Sequence, residues 1–277
     1  MMNPTLKAMI PLPALNAARL LVDLQSLMRT AKLPFDAANL KAANDLPLNT
    51  IWNDPAIARS WDDDHAFLRT VMTQEHMNGG VNPGDQRALY YLVRALKPQR
   101  FLEVGTHIGA STLFIARALR TNGSGTMSSV DIYDVNDPIK ANWEYYGAAD
   151  SPEGSLRKAR LDDLVTFNAH GALPFMARTQ EKFDFIFLDG DHKAAAVYQE
   201  IAAALKILAP GGVILLHDVF PGGKPLYPDN NIIHGPWQAA ARIQREAPQI
   251  RILPLGDLPW PTKQGVNTTS LALAVRV

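Results

Sequence analysis

The chain has no cysteine among its 277 residues, which removes disulfides, thiolate metal sites and thiol catalysis. It has no excess of either charge: 27 Lys and Arg balance 27 Asp and Glu, so no overall field favours nucleic acid or an anionic membrane. It has no uncharged apolar run long enough to span a bilayer. A signal-peptide pattern is also missing, because Pro11 and Pro13 interrupt the first apolar run and no cationic segment precedes it. These absences lead us to expect a cytoplasmic protein without membrane or nucleic-acid partners, and the missing cysteine suits a reducing compartment. The length suffices for one large domain, or one domain with an appendage, around a sizeable core.

What is present divides near residue 80. Before it, Ala17, Leu20, Leu21, Leu24 and Met28 share one helical face, with Asn16, Arg19, Asp23 and Ser26 opposite, so an amphipathic helix is predicted over 14–28. Ser60-Trp61-Asp62-Asp63-Asp64 reads as a helix start, with Ser60 as cap and the acids as a solvated first turn rather than a metal site. Met77–Gly84, rich in Asn, Gly and Pro, reads as a joint between a helical extension, 1–79, and a main domain, 80–277.

Strand and helix signals alternate beyond the joint. Helices are predicted over 85–97, 110–120 and 193–208. Strands are predicted at 101–105, at Val130–Ile132, over Leu164–Asn168, Phe183–Leu188 and Val213–Leu216, and as a late antiparallel pair, Ile250–Leu253 and Ser270–Val277. The Phe183–Leu188 run is continuously apolar, as a strand covered on both faces requires. The expected fold is α/β: a doubly wound, mostly parallel sheet with an antiparallel edge, an N-terminal helical extension, and ligands at the carboxyl ends of the strands.

The most informative stretch is Phe101–Thr112, a short strand, a glycine turn and a helix opening at Ala110. Gly105 and Gly109 leave room for close approach of a ligand, and the helix amides point into that space. Glu103 sets a carboxylate beside them, which opposes a pyrophosphate and favours a cationic ligand with an amino-acid tail. The spacing Glu-x-Gly-x-x-x-Gly also departs from the dinucleotide fingerprint. Asp131 follows the second strand, 26 residues beyond Gly105, where a carboxylate can accept both hydroxyls of a ribose. Ser111 and Thr112 can cap the helix or bind the ligand's carboxylate. Asp189 and Asp218 end neighbouring strands, each beside a histidine, His192 and His217. Imidazole changes charge near neutral pH, so both histidines are candidate proton acceptors beside the acids.

Glu103-x-Gly105-x-x-x-Gly109, Asp131, Phe183–His192 with its Asp-Gly-Asp-His end, and Pro210-Gly211-Gly212 before Val213–Asp218 occur in order. Together they resemble a class I S-adenosylmethionine-dependent methyltransferase, most nearly the small-molecule O-methyltransferases related to catechol and caffeoyl-CoA O-methyltransferases, in a bacterial Asp-Gly-Asp-His branch. The resemblance covers roughly residues 80–277 and does not extend to residues 1–79. It implies S-adenosylmethionine as cofactor, held by Val81, Glu103, Gly105, Thr106, His107, Gly109, Ser111, Thr112, Asp131, Ile132 and Asp189, with Asn168, Ala169 and His170 along the adenine. It implies a hydroxylated small molecule as methyl acceptor, with N-methylation or a catalytically silent cofactor binder as alternatives. His192, His217 and Asp218 are the implied catalytic residues. In metal-dependent relatives, Asp189, Asp218 and the next position ligate a divalent cation. Here Val219 stands at that position, leaving Asp189 and Asp218, with His217 as a further ligand, a set better suited to Mn than to Mg. Two long aromatic segments, Asp134–Pro152 and Phe220–Trp237, are expected to touch the acceptor through Trp143, Tyr145, Tyr146, Lys224, Tyr227 and His234, or to serve a homodimer interface together with the 14–28 helix.

Overall fold

A computed structural model of the chain describes residues 12–72 and 80–277, so Pro11 and the Met77–Gly79 part of the expected joint lie outside the described residues. In chain order the helices are α1 (Leu12–Arg29), α2 (Leu48–Trp52), α3 (Pro55–Val71), α4 (Pro83–Leu96), α5 (Ala110–Asn122), α6 (Asn142–Tyr145), α7 (Pro152–Ala159), α8 (Ala172–Arg178), α9 (Ala194–Ile207) and α10 (Gly235–Glu246). The strands are β1 (Arg100–Val104), β2 (Thr126–Asp131), β3 (Val165–Ala169), β4 (Phe183–Leu188), β5 (Leu208–Leu216), β6 (Ile250–Pro254) and β7 (Ala272–Arg276). They form one sheet in the order β3-β2-β1-β4-β5-β7-β6. The first five run parallel, while β7 is antiparallel to both β5 and β6. This is the expected doubly wound sheet with its antiparallel edge.

The period of two along each strand sorts side chains between two cores. Phe101, Phe185, Phe187, Val213 and Leu215 point to the face covered by α4 and α5, where Phe101 and Phe185 stack at 4.7 Å. Leu102, Ile186, Leu188, Ile214 and Leu216 point to the face covered by α9 and α10. The segment before residue 73 contributes to both cores: Trp52 and Trp61 join the first, Leu27 and Leu40 the second. It is also tied to the sheet, where the Lys41 N–H donates to the Gly212 carbonyl at 2.9 Å.

Three expectations for local structure change. Ser60 does not open a helix, because α3 begins five residues earlier, where Asp54 accepts from the amides of Ala56 and Ile57 and Pro55 presets the first turn. Asp64 is therefore interior and 4% exposed, accepting from Arg117, Tyr90 and Thr121, so only Asp62 and Asp63 keep the solvated reading. The apolar face of α1 points outward: Leu21 is 66% and Met28 80% exposed, while Asn16 and Asp23 turn inward. The reason is polar complementarity, since α1 lies over a polar rim, with Asn16 donating to the Asn230 carbonyl at 3.4 Å and Asp23 accepting from the Ala194 amide at 3.3 Å. Finally, α7, α8 and α10 occupy stretches in which no helix was expected.

Candidate active site

The carboxyl ends of β1, β2, β4 and β5 open into one crevice of about 1330 Å³. Its walls carry Val81, Gly105, Thr106, His107, Ser111, Asp131, Ile132, His170, Asp189, His192, His217 and Asp218, so most of the expected residues converge. Glu103, Gly109, Thr112, Asn168 and Ala169 are not on the walls. Arg19 and Asp23 of α1 are, and composition alone gave no sign of them as wall residues.

Both glycines are required by the protein's own packing. Gly105 sits at φ 96°, and a Cβ there would lie 2.2 Å from the Asp189 carbonyl oxygen; the glycine lets β1 and β4 end side by side. Gly109, at φ 77°, faces Pro152 at the start of α7. The turn between them holds His107 at φ 51°, which aims its amide at Asp131 Oδ2, 2.9 Å away. Asp131 Oδ1 takes the Tyr133 amide at 3.2 Å, and the remaining lone pairs face the crevice. Ile132, 68% exposed, adds an apolar surface next to them.

Glu103 lies under this floor, with none of its surface exposed. Ser111, Thr112 and Ser129 each donate a hydroxyl to it at 2.6 Å. The two helix residues thus anchor α5 to the β1 carboxyl, and neither caps the helix. Burial pushes the Glu103 carboxyl up to about 7, against the lowering effect of its three hydroxyl donors and with Asp189 adding to the rise. The sign follows: an acid with a raised folded pKa destabilises the fold as pH climbs from the ordinary carboxylate range through 7. Glu103→Gln should therefore gain on the unsubstituted protein by roughly 3 kcal/mol between pH 4.5 and pH 8, since each pKa unit is worth about 1.4 kcal/mol. Parallel urea titrations across that range check it, and a pH-independent difference between the two proteins would refute it.

At the other end, Asp189 Oδ1 is 3.0 Å from His217 Nδ1, and Asp85 Oδ2 is 3.1 Å from His217 Nε2. Burial opposes a charge on His217, but Asp189 and Asp218, with the bonds to Asp189 and Asp85, outweigh it and hold the imidazole well above its usual range. Asp85 is fully buried at the start of α4, where it also accepts from Asn82 at 2.7 Å and from Thr269. As a helix-opening acid it gave no sequence signal beyond capping. His192 differs from His217: its side chain is 40% exposed, and its Nε2 is 3.6 Å from Asp218 Oδ2. Asp218 itself sits at φ 54°, a left-handed conformation unusual for a residue with a side chain. Val219 is 1% exposed and packed in the second core, so it presents nothing to the crevice.

Of the aromatic segments, Phe220, Tyr227 and His234 reach the crevice, whereas Lys224 does not and Trp143 is buried in the first core. Tyr146 packs edge-on against His107, with centroids 4.3 Å apart, while Tyr145 is 86% exposed. Of the three residues expected at the β3 end, Asn168, Ala169 and His170, only His170 lines the wall. Asn168 instead donates to the Thr166 carbonyl at 3.2 Å, because β3 is a half-exposed edge strand that turns this side chain along its own backbone.

Residues 102–219 match a family model described as a methyltransferase domain. A catechol O-methyltransferase of Niastella koreensis is 29% identical, over 59% of this chain and 67% of that one. Catechol O-methyltransferase domain-containing protein 1 of Mus musculus is 28% identical, over 76% and 78% of the two chains. The crystal structure of an O-methyltransferase from Bacillus cereus, in complex with S-adenosylhomocysteine, superposes with a TM-score of 0.51 over 95% of this chain and all of that one, at 20% identity, a likeness of fold. The family match runs from Leu102 in β1 to Val219 just past β5, over the strands and loops that wall the crevice, so this part of the chain is similar to a methyltransferase domain.

Proposed function

We propose that this methyltransferase moves the methyl group of S-adenosylmethionine to a hydroxyl oxygen of a small molecule, with His192 as proton acceptor. The observation that carries this reading is the placement of His192 and Asp218 in the crevice that also holds the glycine turn and Asp131. When bound, S-adenosylmethionine would supply its methyl to the acceptor oxygen and be released as S-adenosylhomocysteine. The acceptor's proton passes to the His192 imidazole, and Asp218, 3.6 Å away, stabilises the imidazolium. His217 has a different role on this reading. With a carboxylate at each ring nitrogen it stays charged and offsets Asp189 and Asp218, so it is a fixed cation rather than a base.

A second reading has its own observation. Asp189, His192 and Asp218 offer ligand atoms within 4.8 Å of one another, and this oxygen–nitrogen set fits a divalent cation such as Mn. When bound, the cation would lower the pKa of the acceptor hydroxyl. His217, expected among the ligands, has both nitrogens taken by carboxylates, and His192 stands in its place.

We assign Asp131 to the ribose hydroxyls. Asp131→Ala should weaken S-adenosylhomocysteine binding by roughly 1.5–3 kcal/mol, the loss of a charge-assisted hydrogen bond. Calorimetry showing undiminished affinity would remove the assignment, and release of S-adenosylhomocysteine with a panel of phenols and sugars tests the reaction itself. We further propose that residues 1–79 act as a helical extension of the 80–277 domain, that the exposed Leu21, Val22, Leu24 and Met28 of α1 pack against a second copy in a homodimer, and that a cysteine-free chain of this kind works in the cytoplasm. Among the described residues no helix is long and apolar enough to cross a membrane.

A further inference from the structure

Glu200 is a buried acid that the reaction above does not use. It is 5% exposed, lies on the crevice wall, and among the described residues no side chain or amide makes a hydrogen bond or ion pair with its carboxyl. Burial, with repulsion from Asp191 added, pushes it up to about 8, which favours the protonated carboxyl near neutral pH. An interior carboxyl without a partner is costly and uncommon, and one aimed into a cavity calls for a ligand group.

Its place in the fold says which part of the ligand. The crevice crosses the strand ends in sheet order, from Asp218 on β5 and Asp189 on β4, past Gly105 on β1, to Asp131 on β2 and His170 after β3. With the methyl at the acid–histidine end and the ribose at Asp131, the base lies beyond β2, toward α8. α9 packs against α8, and its Ala196 and Glu200, four residues apart, line the crevice together with Leu173 and Pro174 of α8. Asn168 and Ala169 are off the wall, so of the three residues the sequence suggested along the base only His170 remains there.

We propose that Glu200 reads the N1/N6 edge of the cofactor's adenine, an inference that rests on the S-adenosylmethionine reading of the crevice. A neutral carboxyl carries one donor and one acceptor side by side. Adenine presents an acceptor, N1, next to a donor, the N6 amine, so the two edges form a cyclic pair of hydrogen bonds. An ionised carboxylate would meet the N1 lone pair with a second acceptor.

The test is calorimetric, on the full chain, with S-adenosylhomocysteine and its 1-deazaadenosyl analogue, in which a C–H replaces N1. The unsubstituted protein should prefer S-adenosylhomocysteine by about tenfold, the worth of one hydrogen bond left unmade. Glu200→Gln, whose amide offers the same donor and acceptor, should bind S-adenosylhomocysteine within about threefold of the unsubstituted protein. Glu200→Leu should bind it about tenfold or more weakly and lose the preference. A preference below twofold in the unsubstituted protein overturns the inference without recourse to any variant, as does a Glu200→Leu protein that keeps the full preference. Failure of the unsubstituted protein to bind S-adenosylhomocysteine at all would instead overturn the cofactor reading on which this one rests.

Discussion

His192→Ala should lower kcat by about 10²–10⁴-fold while leaving the affinity for S-adenosylhomocysteine within twofold. The split follows from where the imidazole stands. It lies at the Asp218 end of the crevice, away from Asp131 and the glycine turn, so removing it takes away the proton acceptor without disturbing the ribose contacts. His217→Ala makes the contrast. That side chain is 10% exposed and sits between Asp85, Asp189 and Asp218, so its loss leaves three acids without their cation. Losing one partner of a buried ionic cluster destabilises by about 3–5 kcal/mol, and the His217 variant should fail in unfolding experiments before it is informative in kinetics. Steady-state rates with paired thermal melts distinguish the two. A His192→Ala enzyme that turns over at the original rate would remove this residue from the chemistry.

The sheet was legible because each of its signals is local and repeated. The apolar run at 183–188, the glycine turn after 104 and the Pro-Gly-Gly stretch at 210–212 each fix one strand end, and a parallel sheet aligns those ends by itself. That alignment is also why Asp131, Asp189 and Asp218 line one crevice. The orientation of α1 was not legible. Its periodicity names an apolar face, but only the polar rim it lies on decides that Asn16 and Asp23 turn inward and Leu21 outward. Glu103 misled for a related reason. The strand pattern places it near the ligand, yet the three hydroxyls that draw it beneath the floor come from α5 and β2, and a single Ser or Thr carries no such signal. Asp85 and Glu200 were invisible in the same way, one resembling a helix-opening acid and the other a surface acid on an amphipathic helix. Burial, which no short stretch of sequence states, is what gives each of them its chemistry.

Asp189→Ala and Asp218→Ala should each reduce turnover by about 10²-fold or more, and the response to a chelator assigns the cause. Both acids end strands that are paired in the centre of the sheet, so neither side chain is needed to form the backbone that carries it. Asp218 is held at φ 54° and Asp189 against the backbone of Gly105, which places the two carboxylates on one side of the crevice at a fixed separation. If the site works with a bound cation, chelator should abolish turnover of the unsubstituted enzyme, Mn should restore it, and either substitution should abolish Mn binding in calorimetry. If His192 is the base, chelator should leave the rate unchanged, and Asp218→Ala should cost more than Asp189→Ala, because Asp218 is the acid beside that imidazole. In both cases Asp218→Ala should lower kcat and spare cofactor affinity, since Asp131 and the turn at 105–109 stay in place. A double Asp189→Ala, Asp218→Ala protein with undiminished turnover would move the chemistry out of this crevice altogether.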